Sequence, residues 1–93
     1  MAQLLTPAEI ESRASVLSGW TLDGAKLQIT RKFKDFIAAI EFVNKLVEPA
    51  ESAGHHPDIE ISYNKVKITL TTHDAGGLTA NDFDLAGVIS QIN

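Results

Sequence analysis

The chain contains no cysteine. Disulfide bridges and thiolate metal centres are therefore excluded. It also lacks a basic stripe. Eight Lys and Arg stand against twelve Asp and Glu, a net charge of −4, which argues against a nucleic-acid-binding surface. The one basic cluster, Arg31-Lys32-Phe33-Lys34, is short and reads as a solvated strand edge. No apolar run approaches membrane-spanning length. The opening residues, MAQLLTPAEIESR, have no basic region followed by an apolar core, so no secretory leader is expected. Internal repeats, linkers and low-complexity stretches are absent too. These absences leave a soluble, cytoplasmic protein as the expectation, with no nucleic-acid or membrane partner. Ninety-three residues give one domain over 1–93, small enough that self-association would help it bury apolar surface.

What is present is a clear alternation of local patterns. Thr6-Pro7-Ala8-Glu9 has an N-cap, a proline suited to the first helical position and an acid at the reciprocal capping position. Ile10, Ala14 and Leu17 then share one helical face, and Gly19 is expected to end the helix. Trp20-Thr21-Leu22, an Asp23-Gly24 type I′ turn, and Leu27 to Phe33 read as a β-hairpin. Asp35 can cap a second helix, whose apolar stripe is Phe36, Ile40, Val43 and Val47, widened by Ile37, Ala39 and Leu46. Pro49 predicts a kink or early stop near Val47, and Gly54 a left-handed cap. Ile59, Ile61 and Tyr63 form a third strand, and Asn64 suits a tight turn. Val66, Ile68 and Leu70 form a fourth. Gly76-Gly77 turn the chain into a last helix capped by Thr79, with Leu85, Val88, Ile89 and Ile92 on its apolar stripe. The order α-β-β-α-β-β-α predicts an α+β fold: a four-stranded antiparallel sheet with three helices packed on one face.

The three histidines all lie at segment ends. Histidine is the side chain whose ordinary pKa permits proton exchange near neutrality. His55 and His56 stand between Gly54, which lets the chain leave a helix through a left-handed turn, and Pro57, which biases His56 towards an extended backbone. A helix C-terminus at that corner favours positive charge. The third strand runs away from the corner and the fourth returns by a tight hairpin, so His73 comes back to the same level. If the strand stays regular that far, His73 points to the polar face. Glu51 precedes His55 by four residues and shares a helical face with it if the turn persists. Asp82 occupies the N3 position after Thr79, where an acid caps. A three-histidine zinc site fits poorly, because adjacent residues in an extended segment point to opposite sides and no HxH or HxxxH spacing occurs. Trp20 and Tyr63 read as packing residues.

Taken together, Glu51, His55-His56-Pro57, Tyr63, His73 and Asp82 give the spacing Glu-x3-His-His-Pro-x5-Tyr-x9-His-x8-Asp. That pattern resembles the signature of the pterin-4a-carbinolamine dehydratases. The flanking Gly19-Trp20, Phe33-Lys34-Asp35-Phe36, Tyr63-Asn64-Lys65-Val66, Ile68-Thr69-Leu70 and Thr72-His73 are similar to that family as well, so the likeness runs from residue 5 to residue 92. One departure is Pro49, where family members often have a smooth helical run. The resemblance implies the same α+β fold. It implies dehydration of 4a-hydroxytetrahydrobiopterin to quinonoid dihydrobiopterin and water, in tetrahydrobiopterin recycling downstream of an aromatic amino acid hydroxylase. It further implies no cofactor and no metal, and a homodimer or homotetramer. Carried over position by position, His55, His56 and His73 are the catalytic set. His56 and His73 would exchange protons, and His55 would position the pterin. Glu51 and Asp82 would hold histidines or pterin-ring nitrogens, Pro57 would brace the corner and Trp20 would help wall the site. The alternatives are a non-catalytic dimerisation or transcriptional coactivator module, since some animal relatives bind a transcription factor's dimerisation helices, and an enzyme of another pterin pathway.

Overall fold

A computed structural model describes residues 3–93. Helix α1 (Pro7–Ala14) starts as expected. The Thr6 N–H donates to Glu9 Oε1 at 2.8 Å and the Glu9 N–H to Thr6 Oγ1 at 3.2 Å. The first of these bonds, then the Thr6 hydroxyl, holds the Glu9 carboxyl below the usual carboxylate range. The helix stops well short of Gly19. The Ser15 hydroxyl donates to the Ser12 carbonyl at 2.7 Å, a local bond that competes with helix continuation. Gly19 instead takes φ +86° and swings the chain into Trp20.

Strands β1 (Thr21–Asp23) and β2 (Lys26–Lys32) pair Asp23 with Lys26. The turn is therefore Gly24-Ala25, one residue later than the Asp23-Gly24 reading. Only its first central residue has positive φ, as in a type II′ turn with glycine leading. The second hairpin, β3 (Asp58–Ser62) with β4 (Lys65–Leu70), repeats the pattern with Tyr63 at φ +54°. Tyr63 thus belongs to the turn and is exposed rather than packed. Asn64, beside it, reaches across the sheet. Its side-chain amide donates to the Phe33 carbonyl at 2.8 Å, tying this hairpin to the end of β2.

The sheet order is β1-β2-β4-β3, antiparallel throughout. Leu27 pairs with Leu70 and Ile29 with Ile68, so one face of the central strands is aliphatic at these positions. That face is buried beneath the helices. The predicted second helix is two: α2 (Phe36–Asn44) and α3 (Val47–Ala53). Asp35 Oδ1 caps α2 through the Ala38 N–H at 2.8 Å. Pro49 sits in the first turn of α3, where its missing N–H is harmless, and the helix breaks just before it at Lys45-Leu46. The buried residues here are Ala39, Phe42, Leu46 and Ala50, so the face includes Ala39 and Leu46 from the margin of the predicted stripe and is rotated about a quarter turn from its Phe36, Ile40, Val43 and Val47 line. Phe36, Ile37 and Val47 are exposed instead. In helix α4 (Ala80–Ser90) Phe83, Leu85, Ala86 and Ile89 are buried and Val88 is exposed.

Arg31 is not part of a solvated edge. It shares the inward parity of Leu27 and Ile29 and is half-buried, and a cation drawn out of water needs acceptors. Its guanidinium reaches the C-terminal carbonyls of α4: Ile92 O at 2.6 Å, Ser90 O at 3.3 Å and Ile89 O at 3.4 Å. It also lies 5.0 Å from the centre of the Phe42 ring. The carbonyls of a last helical turn are short of backbone donors, though Ile89 O also accepts the Ile92 N–H at 3.0 Å, and the helix dipole favours a cation there. Arg31→Ala is expected to cost about 2 kcal/mol of unfolding free energy, with Arg31→Lys recovering only part because one ammonium cannot span the three carbonyls. Urea denaturation measures this. An alanine variant as stable as the parent would contradict the assignment.

Among the described residues, no helix is long and apolar enough to cross a membrane.

Candidate active site

Helix α3 ends because Gly54 enters the left-handed region at φ +61°, ψ +31°. The Gly54 N–H bonds to Glu51 O at 3.2 Å and the His55 N–H to Ala50 O at 3.1 Å, the paired bonds of a Schellman closure. The chain therefore turns sharply, and His55 leaves the helical register that would have set it beside Glu51. It swings inwards, its side chain only 11% exposed, and its Nε2 meets Asp82 Oδ1 at 2.5 Å. His56 points outwards, and its Nε2 meets Glu51 Oε2 instead. Adjacent histidines thus engage different carboxylates on opposite sides of the backbone. Glu51 serves His56, not His55. That pair is exposed and contributes little to stability.

Asp82 is wholly buried. A carboxylate survives there only if its lone pairs are used. Oδ2 accepts the Thr79 N–H at 2.9 Å and the Thr72 hydroxyl at 2.8 Å, while Oδ1 faces His55. One side chain thus caps α4, fastens the end of the second hairpin and holds a histidine. Fully buried and absent from the lining of the pocket that His55 lines, Asp82 acts on it through His55.

The second hairpin supplies the far wall. Asp58 pairs with Thr69, so residues beyond Leu70 run alongside the 55–57 corner. The strand does not stay regular. Thr72 forms an isolated bridge with Gly77, and His73–Ala75 is a single 3₁₀ turn closed by Gly76 at φ +78°. Strand parity therefore does not govern His73, which opens that turn and is exposed. Hairpin topology still brings it back: Gly54, His55, His56, Thr72, His73 and Asp74 line one pocket of about 250 Å³. Pro57 lies outside this pocket and lines an apolar groove on the other side of His56, with Val47, Ala50 and Ile59. Trp20 lines neither. It is buried in the core, and its indole N–H donates to Ser90 Oγ at 2.8 Å, at the end of α4 opposite Asp82 and about 12 Å further along the axis. It does not wall the histidine pocket. A larger groove, about 700 Å³ between α3 and α4, is lined by no histidine. Among the described residues, no three His, Asp or Glu side chains are arranged to hold a metal ion.

Thr72 and Asp74 were not singled out by pattern alone. Nothing in a lone threonine beside a histidine distinguishes a buried hydroxyl from a surface one.

The sheet, the helices on one face and the pocket at the open end of the second hairpin define a small α+β domain with its three histidines gathered at one place. The model of the family described as Pterin 4 alpha carbinolamine dehydratase matches residues 3–92, and the chain belongs to that family. A protein of Trichormus variabilis named "Putative pterin-4-alpha-carbinolamine dehydratase" is 83% identical over the full length of both chains. A crystal structure of a transcriptional coactivator/pterin dehydratase from Brucella melitensis superposes with a TM-score of 0.86, at 36% identity, over 91% of this chain and 93% of that one. A pterin dehydratase-like protein identified as a RuBisCO assembly factor in the alpha-carboxysome shares the fold alone, at 21% identity and a TM-score of 0.61 over 76% of this chain and 82% of that one.

Proposed function

We propose that this protein dehydrates 4a-hydroxytetrahydrobiopterin to quinonoid dihydrobiopterin by histidine acid–base catalysis. The observation that carries the reading is the convergence of His55, His56 and His73 on one pocket, with two of the rings held by carboxylates. The reaction breaks the C4a–O bond and forms the C4a–N5 double bond. The hydroxyl departs as water once it has received a proton, and the N5 proton must be taken up. Protonated His56, beside the Glu51 carboxylate, gives the proton to the leaving oxygen. Neutral His73 removes the N5 proton. Both rings are open to solvent and exchange the proton afterwards. His55, fixed by Asp82, orients the pterin. Family membership and the likeness to the Brucella melitensis protein support this reading. On this reading the protein takes part in cytoplasmic tetrahydrobiopterin recycling, where an aromatic amino acid hydroxylase supplies the carbinolamine. The deciding experiment follows loss of 4a-hydroxytetrahydropterin with and without protein. An acceleration over the spontaneous rate between about pH 6 and 8.5 is expected. Its absence would overturn the proposal.

The exposed Phe36, Ile37 and Val47 on one side of α2 and α3 favour a homodimer or homotetramer of this single domain. Sedimentation equilibrium should give a multiple of the chain mass, reduced to one chain by Phe36→Glu with Ile37→Glu. A parent protein that sediments as one chain at micromolar concentration would refute self-association.

A further inference from the structure

The buried hydrogen bonds behind His55 have a definite direction. Asp82 as a carboxylate can only accept, and a hydroxyl has a single proton to give. The Thr72 hydroxyl donates that proton to Asp82 Oδ2. At the 2.8 Å contact between Thr72 Oγ1 and Thr79 Oγ1, the proton must therefore come from Thr79. The chain runs one way, from the Thr79 hydroxyl to Thr72 Oγ1, and from the Thr72 hydroxyl to Asp82 Oδ2. The Thr79 N–H enters the same oxygen. Oδ1 is then left for one donor, the Nε2–H of His55. Thr72 is only 8% exposed, Thr79 1% and Asp82 0%, so water does not supply alternative partners.

We infer that Thr72, with Thr79 behind it, is a positioning residue that fixes the tautomer of His55. With Nε2 carrying the proton, the unprotonated nitrogen is Nδ1. His55 lines the pocket and its other nitrogen is committed inwards, so Nδ1 is the atom left to receive a proton or hydrogen bond from a bound pterin. The hydroxyl of Thr72 also ties the hairpin segment that carries His73 to the carboxylate that holds His55, so one bond sets the separation of the two rings. This inference rests on the dehydratase reading for its kinetic consequence, but the tautomer itself is a property of the free protein.

Two measurements test it. In ¹⁵N-labelled protein, long-range proton–nitrogen spectra of neutral His55 should show the Nε2–H form. An Nδ1–H form would overturn the inference whether or not the protein is a dehydratase. In the dehydration assay, Thr72→Val keeps the shape and removes the donor. It should lower kcat about 10- to 100-fold with KM little changed, while Thr72→Ser retains kcat within about twofold. Thermal melts of both variants control for folding. A valine variant with parental kcat, or a serine variant as impaired as a misfolded valine variant, would overturn the role. Absence of activity in the parent protein would refute the dehydratase reading and leave the tautomer measurement to decide this one.

Discussion

His73→Ala and His56→Ala are each expected to slow dehydration of 4a-hydroxytetrahydropterin by about 10²- to 10⁴-fold, the usual worth of a positioned acid or base. Their unfolding free energies should stay within about 0.5 kcal/mol of the parent, because both rings are exposed and neither supports the core. The combination of a large kinetic loss with a small thermodynamic one is the diagnostic. His55→Ala should behave differently. It removes the partner of a buried carboxylate, so it should lose both activity and stability. The double variant His56→Ala, His73→Ala should be little slower than the worse single one, because an acid and a base acting in one transition state do not contribute additively. If either exposed histidine can be removed with less than a twofold change in kcat/KM, the assignment of that ring to proton transfer is wrong.

The pattern of the chain carried far towards this site, and its shortfalls have physical causes. The strands and the two hairpins were legible because Leu27, Ile29, Val66, Ile68 and Leu70 alternate strictly with polar residues. Hairpin closure then delivered His73 to the His55 corner without any need for detail. The helices were legible at their starts, where Thr6, Asp35 and Thr79 cap. They were less so at their ends and faces. A segment as apolar as 36–47 has more hydrophobic residues than one buried face can use, and periodicity alone admitted Ala39, Val43 and Leu46 but centred the stripe towards the exposed Phe36 and Val47, passing over Phe42. Arg31 was misread because a charge was assumed to be solvated, although its parity with Leu27 and Ile29 marked it as inward. Helical spacing paired Glu51 with His55, and the left-handed step at Gly54 broke that register, giving each histidine a different carboxylate. Trp20 joined the site only by resemblance, and its bond to Ser90 places it in the core. The role of Thr72 needed three dimensions, since its partners Thr79 and Asp82 lie across a turn whose shape no pattern specifies.

Asp82→Ala is expected to destabilise the protein by about 3–5 kcal/mol, the cost of breaking a buried charged contact by removing one partner. Several donors lose their acceptor at once: the Thr79 N–H at the start of α4, the Thr72 hydroxyl and His55 Nε2. For a domain of this size that corresponds to a fall in Tm on the order of 15–30 °C, and it is a large share of the total stability such domains possess. Asp82→Asn separates structure from chemistry. The amide oxygen can still accept from Thr79 and Thr72, so the cap survives and the loss should be only about 1–2 kcal/mol. The amide nitrogen must then face His55 Nε2. Two donors cannot share that contact, so the imidazole is driven to carry its proton on Nδ1, on the side that serves the pocket. The asparagine variant should therefore fold and yet lose about 10²-fold or more in dehydration rate, through the wrong tautomer. Calorimetry and the dehydration assay on the same samples measure both effects. An asparagine variant that keeps parental activity would show that Asp82 acts only as a helix cap, and an alanine variant of parental stability would show that the buried network does not hold the fold at this corner.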